Sequence, residues 1–249
     1  MNEFQNRNRQ HYEPHQQGWQ QQQPGAWGSF GAETAARASV SERMGFIRKV
    51  YALFFAATLF AIGGVLAGLS FEPLLRFAFE HPLIMFIAML GGVMGAQAVR
   101  HVRGLNLLAL FAFTTFTGVV ISPLIAVISQ INPGSILAAG VLTVGIFGGL
   151  TAYVFISKKD FSFMRGMVTT GLIVVILAGV VNIFVGSGAL GFAVAAATLL
   201  LFSGFVLYDT SNIIRRYPTN EYVAGALSLY LDAFNIFLAI LRILNSGRR

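Results

Sequence analysis

Seven stretches of this chain are long and apolar enough to cross a membrane, and that fact restricts the fold more than any other. They run over about 49–70, 83–99, 105–128, 134–157, 164–186, 189–213 and 222–244. Spanning about 30 Å of hydrocarbon takes about 20 apolar residues in a helix. Most of the seven reach that length; the second is short and must stand nearly upright or thin the bilayer locally. Lipid offers no partner to open backbone groups, so apolar segments of this length have to be helices. The breaks fall at Pro73, Pro82, Asn132-Pro133, Gly186-Ser187-Gly188 and Pro218. The expected fold is therefore an all-α membrane protein, a seven-transmembrane-helix bundle. Gly91-Gly92, Gly145, Gly148-Gly149 and the run from Ala193 to Ala197 are small enough to let helices approach closely. Pro123, inside the third span, removes a backbone donor and is expected to kink that helix.

Before the first span, residues 1–38 are rich in Gln, Asn, Gly and Pro, with a glutamine run from Gln16 to Gln23 broken by Gly18 and Trp19. Such a segment cannot bury enough apolar surface to offset its ordering entropy, so a disordered cytoplasmic tail is expected ahead of a transmembrane domain over 39–249. Tyr12, Trp19 and Trp27 read as solvated residues of that tail. The first forty residues hold no apolar core of the kind a cleavable signal peptide needs. Ser39-Val40-Ser41-Glu42 has the spacing of a capping box and marks the expected start of the first helix.

Charge is scarce and unevenly placed. Only 11% of residues are charged, against about 25% in a soluble domain. The net charge of +7 does not form a basic stripe interleaved with aromatics, so no nucleic-acid partner is expected. Instead the cations alternate with the spans. Arg43, Arg48 and Lys49 precede the first, Arg100 and Arg103 follow the second, Lys158, Lys159 and Arg165 follow the fourth, and Arg215 and Arg216 follow the sixth. The other side carries Arg76 beside Glu72 and Glu80, then two connections without Lys or Arg. By the positive-inside rule the amino terminus is cytoplasmic, and seven crossings put the carboxyl terminus outside, against which Arg248 and Arg249 argue. With no cysteine there is no disulfide, thiolate site or Cys nucleophile. His11, His15, His81 and His101 all lie outside the apolar spans. Zinc or iron would lack ligands inside the membrane, and no cofactor is expected.

Of ten acidic residues, eight sit in the tail or between spans, and only Asp209 and Asp232 are embedded in apolar sequence. An ionised Asp at the bilayer centre costs about 2.5–3.5 kcal/mol even on the lenient insertion scale. Two of them make a functional-site hypothesis; the plainer reading is polar residues satisfied by hydroxyls at a helix contact, which Asn or Ser would achieve with less cost. Steps of three and four from Asp232 meet Ser228 and Gly225 in one direction, and Asn235, Ala239 and Arg242 in the other. That small and polar seam suits a helix inside a bundle, where it can line a pathway; Arg242 near the end can snorkel or guard an exit. Asp209 shares its face with Asn212 and Arg216. If Asp209 and Asp232 face each other in a low dielectric, both cannot ionise cheaply and they share a proton, which makes a pH sensor. Arg100 is the best-placed cation to hold one of them ionised. Deprotonated, the pair offers the hard oxygens that Ca²⁺ takes.

The stretches Phe202–Asn212 and Ala226–Leu244, with the loop Lys158-Lys159-Asp160-Phe161-Ser162-Phe163, resemble the Bax inhibitor-1 family, also called the transmembrane Bax inhibitor motif family. Lys159 to Phe184 looks most like its bacterial YccA branch. The resemblance covers about residues 45–245. It implies a seven-helix bundle with the last helix central, in the bacterial inner membrane, acting in some members as a pH-sensitive calcium leak. In that mechanism Asp209 and Asp232 are the di-aspartyl sensor and Arg100 latches onto one of them. YccA-like members can lack both acids and are associated with restraining the membrane protease FtsH; this chain keeps both. The expected partners are the bilayer, Ca²⁺ or protons, and such a protease. The alternative is an interaction protein that modulates membrane proteolysis or stress responses, with the Gln-rich tail as a handle. A more remote one is an intramembrane aspartyl protease, for which Tyr208-Asp209 fits. The Gly-x-Gly-Asp turn of those enzymes is missing, because Leu229-Tyr230-Leu231-Asp232 stands there. The expectation is a protein that is not an enzyme.

Overall fold

The first helix begins where the capping box puts it. In the computed structural model, which describes residues 39–246, α1 runs over Val40–Ser70 with Ser39 as its N-cap. The Ser39 hydroxyl accepts the Glu42 N–H at 3.3 Å, and Glu42 Oε2 accepts the Ser39 N–H at 3.0 Å. Both donors would otherwise be orphaned at a helix start. The Gln-rich tail, residues 1–38, and Arg248 and Arg249 lie outside the described residues.

Every further element among the described residues is also helical: α2 (Glu72–Glu80), α3 (Pro82–Ala98), α4 (Leu105–Ile131), α5 (Pro133–Ser157), α6 (Arg165–Val185), α7 (Gly188–Arg215) and α8 (Tyr222–Asn245), with a 3-10 turn over Ser162–Met164. The segment expected to connect the first two spans is the helix α2. Pro73 and Pro82 explain the difference, since proline is tolerated in the first turn of a helix and here marks two helix starts. Glu72 and Arg76 pair across one turn of α2 at 3.0 Å. α2 and α3 meet at a 95° bend. Among the described residues six helices are long and apolar enough to cross a membrane, and the bent pair would make a seventh. A reporter fused after Arg249 is expected on the side opposite one fused before Met1. Finding both on one side would mean that the α2–α3 pair does not cross.

In lipid the contact between helices depends on close packing rather than on apolar burial. The closest contact is that of α1 and α4. A β-carbon on Gly64 would overlap the Thr115 carbonyl, one on Gly118 would overlap the Ala61 carbonyl, and one on Gly68 would overlap the Ser122 hydroxyl. Gly91, Gly145, Gly148 and Gly149, by contrast, face open space, and of the glycines picked from sequence for close helix approach Gly92 alone meets a neighbour, Phe113 at 2.8 Å. Pro123 cannot donate to the Val119 carbonyl four residues back, and the Ser122 hydroxyl donates to that carbonyl instead at 2.8 Å.

α8 packs against α1, α4, α5 and α7. It is buried on nearly all sides, with Leu229, Ile236 and Leu241 fully enclosed alongside its polar seam. The outer surface is apolar: Leu137 and Val144 on α5, Ile183 and Phe184 on α6 and Leu200 on α7 point outward, as lipid-facing residues should.

Candidate functional site

α7 and α8 form an antiparallel pair whose shared interior carries both intramembrane carboxylates. Asp232, on α8, is 2% exposed, and its Oδ2 has no hydrogen-bond partner among the described residues. Asp209, on α7, is half-buried and lies near enough for its charge to act on Asp232. A buried, incompletely paired carboxyl is costly in a low dielectric, so the arrangement is held by the packing around it and not by its own bonds.

Asp209 opens onto a cavity of about 540 Å³ at the end of the bundle where α3, α5 and α7 finish and α4, α6 and α8 begin. Arg100 and Gln97 line it from the end of α3, Ser162 and Arg165 from the start of α6, Tyr208 and Asn212 from α7, and Arg216, Tyr217 and Glu221 from the α7–α8 connection. Asp209, Asn212 and Arg216, which share a helical face in the sequence, thus share the cavity. Asp232 lies outside its lining.

Arg100 reaches the cavity but, among the described residues, forms no ion pair with either Asp. Its Nε donates to His101 Nε2 at 2.9 Å, and its backbone carbonyl accepts from Asn106 Nδ2 at 3.1 Å. Along the seam of α8, Ser228 meets the Tyr217 hydroxyl at 3.2 Å and Asn235 donates to the Leu231 carbonyl at 2.8 Å. Arg242 is exposed. Asn212 is buried, and its carbonyl closes the end of α7 by accepting the N–H groups of Arg216 and Tyr217 at 2.7 and 3.0 Å.

The loop Lys158–Phe163 folds onto the end of α7. Lys158 ends α5 with φ 52°, and its carbonyl accepts from Arg215. The Phe161 N–H donates to the buried Ser211 hydroxyl at 3.0 Å. Arg216 donates to Ser162 Oγ at 2.6 Å and pairs with Asp160 at 3.2 Å. Asp160 also accepts the Ser162 N–H at 2.9 Å. That backbone bond, followed by the Ser162 hydroxyl and Arg216, lowers the Asp160 pKa from 3.8 to about 2. A carboxylate depressed in the folded state contributes stability that is present above its unfolded pKa and is lost as pH falls through the folded value. The melting temperature of wild type should therefore exceed that of Asp160→Asn near neutrality, and the gap should close between about pH 4 and pH 2. A gap that persists at pH 2 would remove the electrostatic account of this loop.

Sequence reasoning missed several polar contacts. Thr117 on α4 bonds to the Tyr230 hydroxyl on α8. At the opposite end of the bundle, Asn245 of α8 joins the α4–α5 corner: its Oδ1 accepts from Asn132 at 3.2 Å, and its Nδ2 donates to Ser135 at 3.0 Å. Asn132-Pro133 read only as a chain break, and nothing in the spacing pointed to a partner 113 residues away. Among the described residues no group of three or more His, Cys, Asp and Glu is arranged to hold a metal. Two carboxylates fall well short of the about 6–8 oxygens of a resident Ca²⁺ site, so Ca²⁺ enters the argument only as a permeant ion.

The whole described bundle has relatives. A family model described as inhibitor of apoptosis-promoting Bax1 matches residues 43–249. Mouse protein lifeguard 4 is 36% identical over 214 residues, 85% of this chain and 89% of its own length. A Golgi anti-apoptotic protein of vaccinia virus is 32% identical over 224 residues, 89% of this chain and 93% of its own. An uncharacterized membrane protein of Vibrio cholerae is 43% identical over 136 residues, 54% of this chain and 60% of its own. With the helical membrane fold and a match across nearly all the described residues, the chain belongs to the Bax inhibitor family of multi-pass membrane proteins.

Proposed function

We propose that this protein is a pH-sensitive Ca²⁺ leak of the bacterial inner membrane, operated by Asp209 and Asp232 with Arg100 as their latch. The observation that carries the reading is a buried Asp232 with an unpartnered oxygen, within electrostatic reach of an Asp209 that faces a polar cavity. A carboxylate placed so expensively in the membrane interior belongs to an ion or proton pathway before it belongs to packing. The cavity gives ions access to Asp209 from the end of the bundle rich in Arg and Lys, which the positive-inside rule makes cytoplasmic. Beyond Asp209 the route runs along the α7–α8 interface past Asp232, with Ser228 and Asn235 on the same seam. Protonation changes the charge of the pair as a unit and so changes both what it attracts and what Arg100 is drawn to.

Release of Ca²⁺ from proteoliposomes of the purified protein, followed with a fluorescent indicator from pH 5 to pH 8, tests this. The expected result is a flux above that of protein-free vesicles that varies with pH. Flux no greater than in protein-free vesicles at every pH overturns the leak and leaves the alternative of a partner-binding protein acting on membrane proteolysis.

A further inference from the structure

Arg100 is engaged by a residue that no part of the proposed leak uses. Its Nε–H donates to His101 Nε2 at 2.9 Å, while His101 Nδ1 lies 3.6 Å from Glu221 Oε1. A guanidinium has only donors and stays charged, so the imidazole nitrogen facing it must supply a lone pair. His101 is then neutral, with its proton on Nδ1 toward Glu221. A second proton has one place to go, Nε2, where it replaces the lone pair with an N–H. Donor then faces donor and cation faces cation, while the contact with Glu221 becomes an ion pair. Histidine is the side chain whose charge ordinarily changes between about pH 5 and pH 8, and the His101 side chain is 58% exposed.

We propose that His101 is a pH-operated positioning residue for Arg100: neutral, it holds the guanidinium, and protonated, it releases it toward Asp209 across the cavity that both line. The surroundings leave Arg100 one new partner. Glu221, before α8, is taken by the imidazolium. Arg165 on α6 and Arg216 after α7 repel it, and Arg216 is tied to Asp160 and Ser162. Asp209 on α7 is the remaining carboxylate of the lining. Arg103, in the same connection as His101, is exposed and makes no ion pair among the described residues. Asn106, only 6% exposed, holds the Arg100 carbonyl, so release moves the side chain and leaves the backbone in place. This rests on the reading of Arg100 as a latch for the carboxylates, yet the His101–Arg100 switch can be observed without any ion flux.

The test is a pH titration of the Arg100 Nε–H resonance in ¹⁵N-labelled protein, assigned by its loss in Arg100→Lys. In wild type the resonance should move on acidification, in step with the His101 ring. In His101→Gln, whose amide oxygen accepts a hydrogen bond but takes no proton, it should stay at its neutral-pH position. In His101→Ala it should sit near its acid position at every pH. A resonance that titrates unchanged in His101→Gln, or that does not titrate in wild type, overturns the switch. If vesicles show no Ca²⁺ flux while the titration follows this pattern, the leak reading falls and the switch stands. If flux is present, His101→Gln should remove part of its pH dependence, and an unaltered flux profile would show that Arg100's position does not control the pathway.

Discussion

Gly118→Val is expected to cost about 3 kcal/mol or more of stability, at or beyond the upper end of ordinary overpacking. The reason is what the new β-carbon meets. It would overlap the Ala61 carbonyl oxygen and come within 2.8 Å of the Val65 backbone nitrogen. These are main-chain atoms in the middle of α1, so no side-chain rotation relieves the clash and the two helices must separate. Separation would loosen Gly64 from Thr115 and Gly68 from Ser122 along the same contact. In lipid that close fit is the main source of helix association. Gly145→Ala and Gly148→Ala are the controls: both positions face open space, alanine is the better helix former, and their effect should stay within about 0.5 kcal/mol. Thermal unfolding in detergent separates the outcomes. A Gly118→Val protein as stable as the two controls would contradict the α1–α4 contact.

That contact shows where sequence reasoning stops. Membrane spans are visible because length and apolarity are properties of a segment alone, and a capping box is visible because its partners lie three residues apart. Which face of a helix meets which neighbour is a different matter. After Lys49, α1 carries no charged residue on any side, so hydropathy does not tell Gly64 from Gly63, although of these two only Gly64 touches α4. The same gap hid the Asn132–Ser135–Asn245 junction and the Thr117–Tyr230 bond, each between residues far apart in the chain. Asp209 and Asp232 stood out because a carboxylate in an apolar span is an anomaly that one sequence is enough to show. Arg100, at the end of a span, lines the same cavity as Asp209. Its bond to His101 is not legible in the sequence, because a histidine outside the spans gives no signal as an intramembrane ligand. α2 is not legible as a helix because Pro73 and Pro82 break the apolar pattern, whereas in the fold Pro73 lies in the first turn of α2 and Pro82 begins α3.

The second large effect is expected at the carboxylate pair. Asp209 and Asp232 are near enough to influence each other's charge, and residues in one network give non-additive effects when changed together. Asp209→Asn removes the like-charge conflict and leaves Asp232 to titrate alone; Asp232→Asn does the converse. Either change should flatten the pH dependence of Ca²⁺ flux, and the double variant should flatten it no further. Arg100→Ala should raise the resting flux, because the latch is lost while both acids remain. The asparagines are close in shape to the aspartates they replace and carry no charge into the membrane, so the four proteins should insert and fold alike.

The pH profile of Ca²⁺ flux from proteoliposomes, measured side by side for wild type, Asp209→Asn, Asp232→Asn and the double variant, tests the central claim most directly. A coupled pair predicts a steep profile in wild type and three similarly flattened ones in the variants. Two single variants whose effects add in the double, or that both keep the wild-type profile, would show that the carboxylates do not act as one sensor.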